Sequence, residues 1–315
     1  MKSDTIFTVL IPYYSNNRAS GELYLKRAID SVIAQTEKRW HVYVVDDRSP
    51  IEGVEAFVKS FNDPRISYVL NEKNLGQAGN WNRSLELLET EFFSFLHADD
   101  ELKPNYIEVM YQALKRDPET AAVFCKADII NEHEEVIFSF VDLVKTFIES
   151  KGTFILEGDK GLAQLMKGNF IMCPTVAYRH SKLGDLKFNA AKWHTIPDFF
   201  YWGQLLLNDR RMTGIPDVLF RYRRHSESGT DMVRKGTRIF EDESEFYDWV
   251  ATHAQVKNWK ETIKVARAKR MVKLRTWYFL LQDLFHGRMS AVSKKLTFLN
   301  GIKATSTLEQ TSSSN

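Results

Sequence analysis

Cysteine, proline and early glycine are what this sequence has least of. Its two cysteines, Cys125 and Cys173, stand far apart in apolar surroundings. That excludes a disulfide framework and a Cys-x-x-Cys zinc site, and it points to a reducing, cytoplasmic setting. No apolar run reaches the length of a membrane span, and the stretch after Met1-Lys2-Ser3-Asp4 is too brief for a signal peptide. The first glycine is Gly21, so the turn after the first apolar run, Ile11-Pro12-Tyr13-Tyr14, lacks the glycines that a dinucleotide-binding oxidoreductase or a nucleotide-sugar pyrophosphorylase needs there. Gly76 and Gly79 come only after the third strand-like run. Net charge is also scarce, +2 from 43 basic and 41 acidic residues, and no nucleic-acid partner is expected. The balance hides one asymmetry: residues 256–303 hold twelve Lys or Arg against two acids, Glu261 and Asp283.

What is present is a globular composition, 43% hydrophobic and 27% charged over 315 residues, enough for one large domain with an appendage. From Phe7 to Ala127 short β-rich runs alternate with helical patterns, as in parallel βαβ units. The predicted strands are Phe7–Ile11, Trp40–Asp46, Ile66–Asn71, Phe92–His97 and Ala121–Ala127, and Glu22–Thr36, Ile51–Phe61, Ala78–Glu89 and Asn105–Arg116 are the helices between them. Further on, Ile137–Val141, Phe170–Tyr178 and Val218–Arg223 read as strands. Gly158–Lys167, Pro197–Asn208, Glu241–His253 and Val256–Phe285 read as helices, and residues 304–315, rich in Ser and Thr, as a tail without structure.

Two strand ends carry paired carboxylates, at the edge where parallel sheets bind ligands. Asp46-Asp47-Arg48-Ser49 can accept the imide N–H of a uracil base or cap the following helix. His97-Ala98-Asp99-Asp100 can hold a divalent cation together with phosphate oxygens, or again form a cap. Asp198 beside Pro197 at a helix start is, by itself, capping chemistry.

Taken together, these segments resemble glycosyltransferase family 2. The resemblance runs through Phe7–Tyr14, Arg27–Thr36 ending in Gln35-Thr36, Val45–Ser49, Asn71–Asn80 and His97–Asp100, over about the first 130 residues. His97 stands where the family has Asp, and Asn80-Trp81-Asn82 lies near the family's Arg-Asn. The resemblance implies an α/β fold of GT-A type: a mostly parallel twisted sheet flanked by helices, with a C-terminal helical extension. It also implies an inverting, metal-dependent transfer from a nucleotide-diphosphate sugar, UDP-sugar favoured, to a glycan or lipid-linked hydroxyl in cell-surface polysaccharide synthesis. The residue roles follow by position. Pro12, Tyr14, Asp46, Asp47, Asn74, Gly76, Asn80 and Asp99 fall at the nucleotide, with Asp47 on uracil. Asp100, Asp99 and His225 fall at Mn²⁺ or Mg²⁺. Arg221, Arg223 and Arg224 fall at the diphosphate, Asn169 and Trp202 at the acceptor, and Asp198 becomes the base. For single residues of the basic turn a solvated role is equally open, and residues 168–175 are equally consistent with plain core.

The expected organisation is a nucleotide-sugar half (1–130), an acceptor half (131–235), a basic amphipathic extension (236–303) and a tail (304–315). The extension mixes cations with Trp, Phe and Leu. That pattern suits either packing on the domain or docking on an anionic membrane face, which would make the protein cytoplasmic and peripheral. A non-catalytic binding protein using this basic surface is the rival reading, but it leaves the strand-end carboxylates without a role.

Overall fold

The computed structural model describes residues 4–137, 152–189, 191–225 and 236–312, with side chains to residue 302. Most of the predicted strand Ile137–Val141 lies outside them.

Three parallel strands open the chain, β1 (Phe7–Tyr13), β2 (Trp40–Asp46) and β3 (Ile66–Leu70), and a fourth, β4 (Phe92–Phe95), joins on the other side of β1. Their connecting helices are α1 (Arg18–Ile33), α2 (Val54–Lys59) and α3 (Gly76–Leu85). Such runs of buried aliphatic and aromatic residues are what strands covered on both faces require. Helix α1 starts four residues before the predicted Glu22 because the Asn17 side chain caps it, accepting the Ala19 and Ser20 amides.

Beyond β4 the sheet departs from the expected parallel order. After β5 (Glu101–Leu102), α4 (Tyr106–Arg116), β6 (Thr120–Ile130), β7 (Phe154–Leu156) and α5 (Gly158–Met166) comes a short strand, β8 (Val176–Arg179), and it inserts between β4 and β6, antiparallel to both. The long β9 (Arg211–Arg223) follows α6 (Pro197–Leu207) and runs parallel to β6. The nine-stranded sheet reads β3-β2-β1-β4-β8-β6-β9-β5 with β7 also on β9, so half of its eight ladders are antiparallel. Strand Phe170–Tyr178 shrinks to β8 because Pro174 sits in a 3-10 turn, Cys173–Thr175, and Pro cannot donate to a ladder.

One core face packs under α1, α2 and α4, the other under α3, α5, α6 and the C-terminal helices. Those helices are α7 (Arg238–Val256), α8 (Lys260–Ala268), α9 (Arg270–Phe285) and α10 (Met289–Ser312). Phe240, Phe246 and Tyr247 of α7 join the second core, and Trp259, Phe279 and Phe298 lean on it. The backbone of α10 continues through the segment read as a tail: no residue after Gly301 is Gly or Pro, so nothing breaks it before Ser312. No described helix is long and apolar enough to cross a membrane.

Candidate active site

Parallel strands place their carboxyl-end loops side by side, and here those loops are tied to one another. The Asp47 amide donates to Tyr13 O (2.8 Å), the Asn71 amide to Asp46 O (2.9 Å) and the Ser15 amide to Ser49 Oγ (3.1 Å). Asn74 Nδ2 reaches Asp47 O at 3.0 Å, and Asn74 Oδ1 accepts the Gly76 amide at 3.1 Å. Gly76 opens α3 at φ +71°, a left-handed angle that disfavours other residues, and Arg48 adopts φ +62° between Asp47 and Ser49. Strain of that kind is held only where the surroundings over-determine the backbone, and it clusters at ligand sites. Pro12, Tyr14, Asp46, Asp47, Asn74 and Gly76 therefore come together, with Tyr14 more than half exposed.

The two adjacent carboxylates do different work. Asp46 accepts the Ser49 amide on Oδ1 and the Tyr68 hydroxyl on Oδ2, both at 2.8 Å, which fixes the turn after β2; it does not cap α2, whose N-cap is Gly53. Asp47 receives Asn71 Nδ2 and the Leu75 amide on Oδ1; its Oδ2 takes no part in those bonds. Asn80 does not face a ligand. It is buried, accepts Asn71 Nδ2 at 3.0 Å and donates to Val45 O at 3.0 Å, so its amide serves as a strut beneath the loop.

Beyond the carboxyl end of β4, ligand atoms of His97, Asp99 and Asp100 all lie within 4.8 Å of one another. Asp100 is fully buried; its Oδ1 accepts the Arg223 amide at 2.8 Å, and among the described residues neither its Oδ2 nor His97 Nε2 has a hydrogen-bond partner. Burial, then the neighbouring Asp99 charge, pushes the Asp100 carboxyl well above the usual range, and burial pulls the His97 imidazole down. Burial works against the Asp99 carboxylate as well. The hydrogen bond from His225 and the charges of both imidazoles outweigh it, holding that carboxyl below its usual range. A buried carboxylate oxygen without a hydrogen-bond partner among the described residues, beside a second carboxylate and an imidazole, is a donor set that fits Mn²⁺ or Mg²⁺ shared with phosphate oxygens. Asp99, Asp100 and His97 would hold it. His225, which the sequence suggested as a ligand, sits one step out: its Nε2 is 3.0 Å from Asp99 Oδ2, where it orients that carboxylate. His97, read from sequence only as a departure from the family, is the imidazole in the cluster, its ring stacked 5.8 Å from Trp81.

The segment after Asp100 is braced from two sides. Buried Gln35 donates to Lys103 O (2.8 Å) and accepts the Ile107 amide (2.9 Å), while Ser31 Oγ accepts the Leu102 amide. From β9, Arg223 is wholly buried: Nε donates to Asp99 O, Nη1 to Asn131 O and Nη2 to Glu101. Arg221 pairs with Glu101 at 2.9 Å and Glu134 at 3.5 Å. Both arginines, expected at the diphosphate, are thus committed to acidic partners. Strand alternation puts residues 221 and 223 on one face, and that face meets Glu101. We expect Arg223→Met to cost about 3–5 kcal/mol in denaturant unfolding, since it leaves Glu101 with Arg221 alone and takes the buried donors away from the Asp99 and Asn131 carbonyls. Adding Glu101→Gln should recover part of the loss, and additive effects would contradict the pairing. Of the predicted trio only Arg224 lies outside this brace; its amide donates to Ile130 O.

Asp198 opens α6 after Pro197 and accepts the Phe199 amide at 2.8 Å. Burial drives the Cys173 thiol pKa up, and the Asp198 and Asp100 carboxylates push it the same way. The thiol therefore lies within electrostatic reach of both carboxylates. Asn169, in the loop leading there, has a buried Oδ1 without a partner, as an acceptor-side residue would. Trp202 is different: it is fully buried with Nε1 on Tyr178 OH at 3.0 Å, because nine of the eleven α6 residues are core. It cannot meet an acceptor. A cavity of about 540 Å³ lies at the opposite strand ends between Trp40 and Arg65, away from these carboxylates.

Residues 8–156 match the model of the family described as Glycosyl transferase family 2. An uncharacterized glycosyltransferase of Methanocaldococcus jannaschii is 24% identical over 204 residues, 64% of this chain and 66% of its own length. S. aureus TarS 1-349, solved in complex with UDP-GlcNAc, aligns with a TM-score of 0.58 at 15% identity, covering 95% of this chain and 92% of that one. Mannosyltransferase PcManGT from Pyrobaculum calidifontis, solved with GDP-Man and Mn²⁺, gives 0.58 at 15%, covering 98% and 85%. At these identities the likeness establishes the fold, a GT-A arrangement. The match spans 66% of the Methanocaldococcus jannaschii protein and between 16% and 56% of the length of other curated relatives.

Proposed function

We propose that this chain, whose residues 8–156 match the glycosyl transferase family 2 model, is an inverting glycosyltransferase moving a sugar from a UDP-sugar to a hydroxyl of a glycan or lipid-linked acceptor in polysaccharide synthesis. The observation that carries this reading is the His97–Asp99–Asp100 cluster after β4, the strand paired with β1, whose end loop is tied to those of β2 and β3; the Asp198 carboxylate supports it by acting electrostatically on the same Cys173 thiol as Asp100. TarS and PcManGT were solved with nucleotide sugars, which supports the donor class.

In this reading the Pro12–Tyr14 and Asp46–Gly76 loops hold the nucleoside, with Asp47 on the base. Asp99 and Asp100 hold the cation beside the diphosphate. When bound, the metal supplies Lewis-acid neutralisation of the departing diphosphate. Asp198 takes the proton of the acceptor hydroxyl as its oxygen attacks the anomeric carbon on the face opposite the nucleotide, so a single displacement suffices and no covalent enzyme intermediate is needed. His225 keeps Asp99 oriented, and Asn169 offers an acceptor-side hydrogen bond.

A UDP titration by calorimetry tests the reading. Binding should need Mn²⁺ or Mg²⁺, because two carboxylates without a bridging cation repel a diphosphate. Metal-free binding of equal affinity would refute the site, and a nucleotide-sugar panel assayed for UDP release would then identify the donor or exclude the activity.

A further inference from the structure

We propose that the outward face of α9 docks the protein on an anionic lipid surface. The proposal goes beyond the transferase reading and is tested without it.

Helix α9 has two apolar faces. Val272, Thr276, Leu280 and Asp283 are buried against the body. On the other side Leu274, Trp277, Leu281, Leu284 and Phe285 recur at the spacing of a single helix face, and all are exposed, Phe285 by 89%. Exposed Met289 follows on α10. Scattered surface leucines are ordinary, but a row of five on one helix face is a contact surface.

The charges sort in the same way. Cations of this region that point inward are matched: Lys269 with Asp248 (2.6 Å), Lys295 with Asp283 (2.7 Å) and Arg275 with Glu243. Lys260, Lys264, Arg267, Arg270 and Lys294 are exposed and make no ion pair among the described residues. Arg270 and Arg288 stand at the two ends of the apolar row, and one of the region's two acids, Asp283, is buried between Lys295 and Arg288. Apolar side chains with a Trp, flanked by exposed cations that outnumber the acids of the region, suit the boundary between acyl chains and anionic head groups. A second copy of the chain fits worse, because self-association through this face would set two strongly basic surfaces against each other.

The test is co-sedimentation of the full chain with phosphatidylcholine vesicles, with and without phosphatidylglycerol, over a salt series. Binding should require the anionic lipid and weaken with salt. Leu281→Gln with Phe285→Gln, and separately Lys264→Glu with Arg270→Glu, should each lower the bound fraction about tenfold or more while the melting temperature holds, since these side chains are exposed. No binding to anionic vesicles at low salt, or equal binding to neutral ones, would overturn the proposal. So would a dimer in light scattering that the Leu281→Gln, Phe285→Gln variant dissolves.

Discussion

Asp198→Asn should reduce sugar transfer about 10²–10⁴-fold, the range a positioned general base contributes, and leave Mn²⁺-supported UDP binding within about twofold of the parent. The separation follows from position. Asp198 lies in the first turn of α6, on a different element from the β1 to β3 loops, and its carboxylate acts electrostatically on Cys173, as that of Asp100 does. Asparagine has the same shape and can still accept the Phe199 amide, so the helix start survives. What it loses is the ability to take a proton. In kinetic terms kcat should fall and KM for the donor should stay put. Full turnover in the variant would assign the base elsewhere, and a joint loss of UDP binding would make Asp198 part of the donor site.

The strand-end carboxylates were legible in the sequence because a buried parallel strand is a short apolar run with a sharp end, and Val44-Val45-Asp46 and Phe95-Leu96-His97 mark that end without any tertiary information. The partner that completes each site was not. β8 is four residues long and is specified by β4 and β6, neither of which is near it in sequence, so no local pattern announces it. Arg221 and Arg223 carry charge suited to a phosphate, and only the pairing of β5 with β9 reveals that Glu101 already meets both. Trp202 fails for the opposite reason: Pro197–Leu207 is apolar nearly all round, a pattern that itself signals a buried helix, and the Trp should have been read with its neighbours. The C-terminal helices show the limit of composition. Trp259 and Phe279 lean on the core while Trp277 and Phe285 face solvent, and only the helical phase set by packing separates them.

The brace explains why so much buried charge is tolerated beside the carboxylate cluster. Arg223 gives its backbone amide to Asp100 and its guanidinium to Asp99 O and Glu101, so one residue fixes three consecutive positions. Gln35 and Ser31 hold the next ones from α1. A loop fixed from both sides keeps its carboxylates in place before a ligand arrives, which lowers the ordering cost of binding.

Asp100→Asn should weaken Mn²⁺ binding by about a hundredfold, somewhat more than is typical of losing a residue that merely orients a ligand, and metal-supported UDP affinity should fall with it. The side chain is fully buried, with one oxygen on the Arg223 amide and the other without a hydrogen-bond partner among the described residues, and burial together with Asp99 makes its charge unfavourable in the absence of a cation. Asparagine keeps the acceptor for Arg223 and removes that charge. The metal-free variant should therefore melt no lower than the parent, a case of a site held at the expense of stability. Electron paramagnetic resonance of free Mn²⁺ during titration reads the binding directly, and a thermal melt of the same samples reads the fold. Loss of Mn²⁺ binding at an undiminished melting temperature is the expected pair of results. If Mn²⁺ affinity is unchanged, the cation is held by other residues. If the variant melts well below the parent, Asp100 is a structural acceptor, and its loss of binding says nothing about coordination.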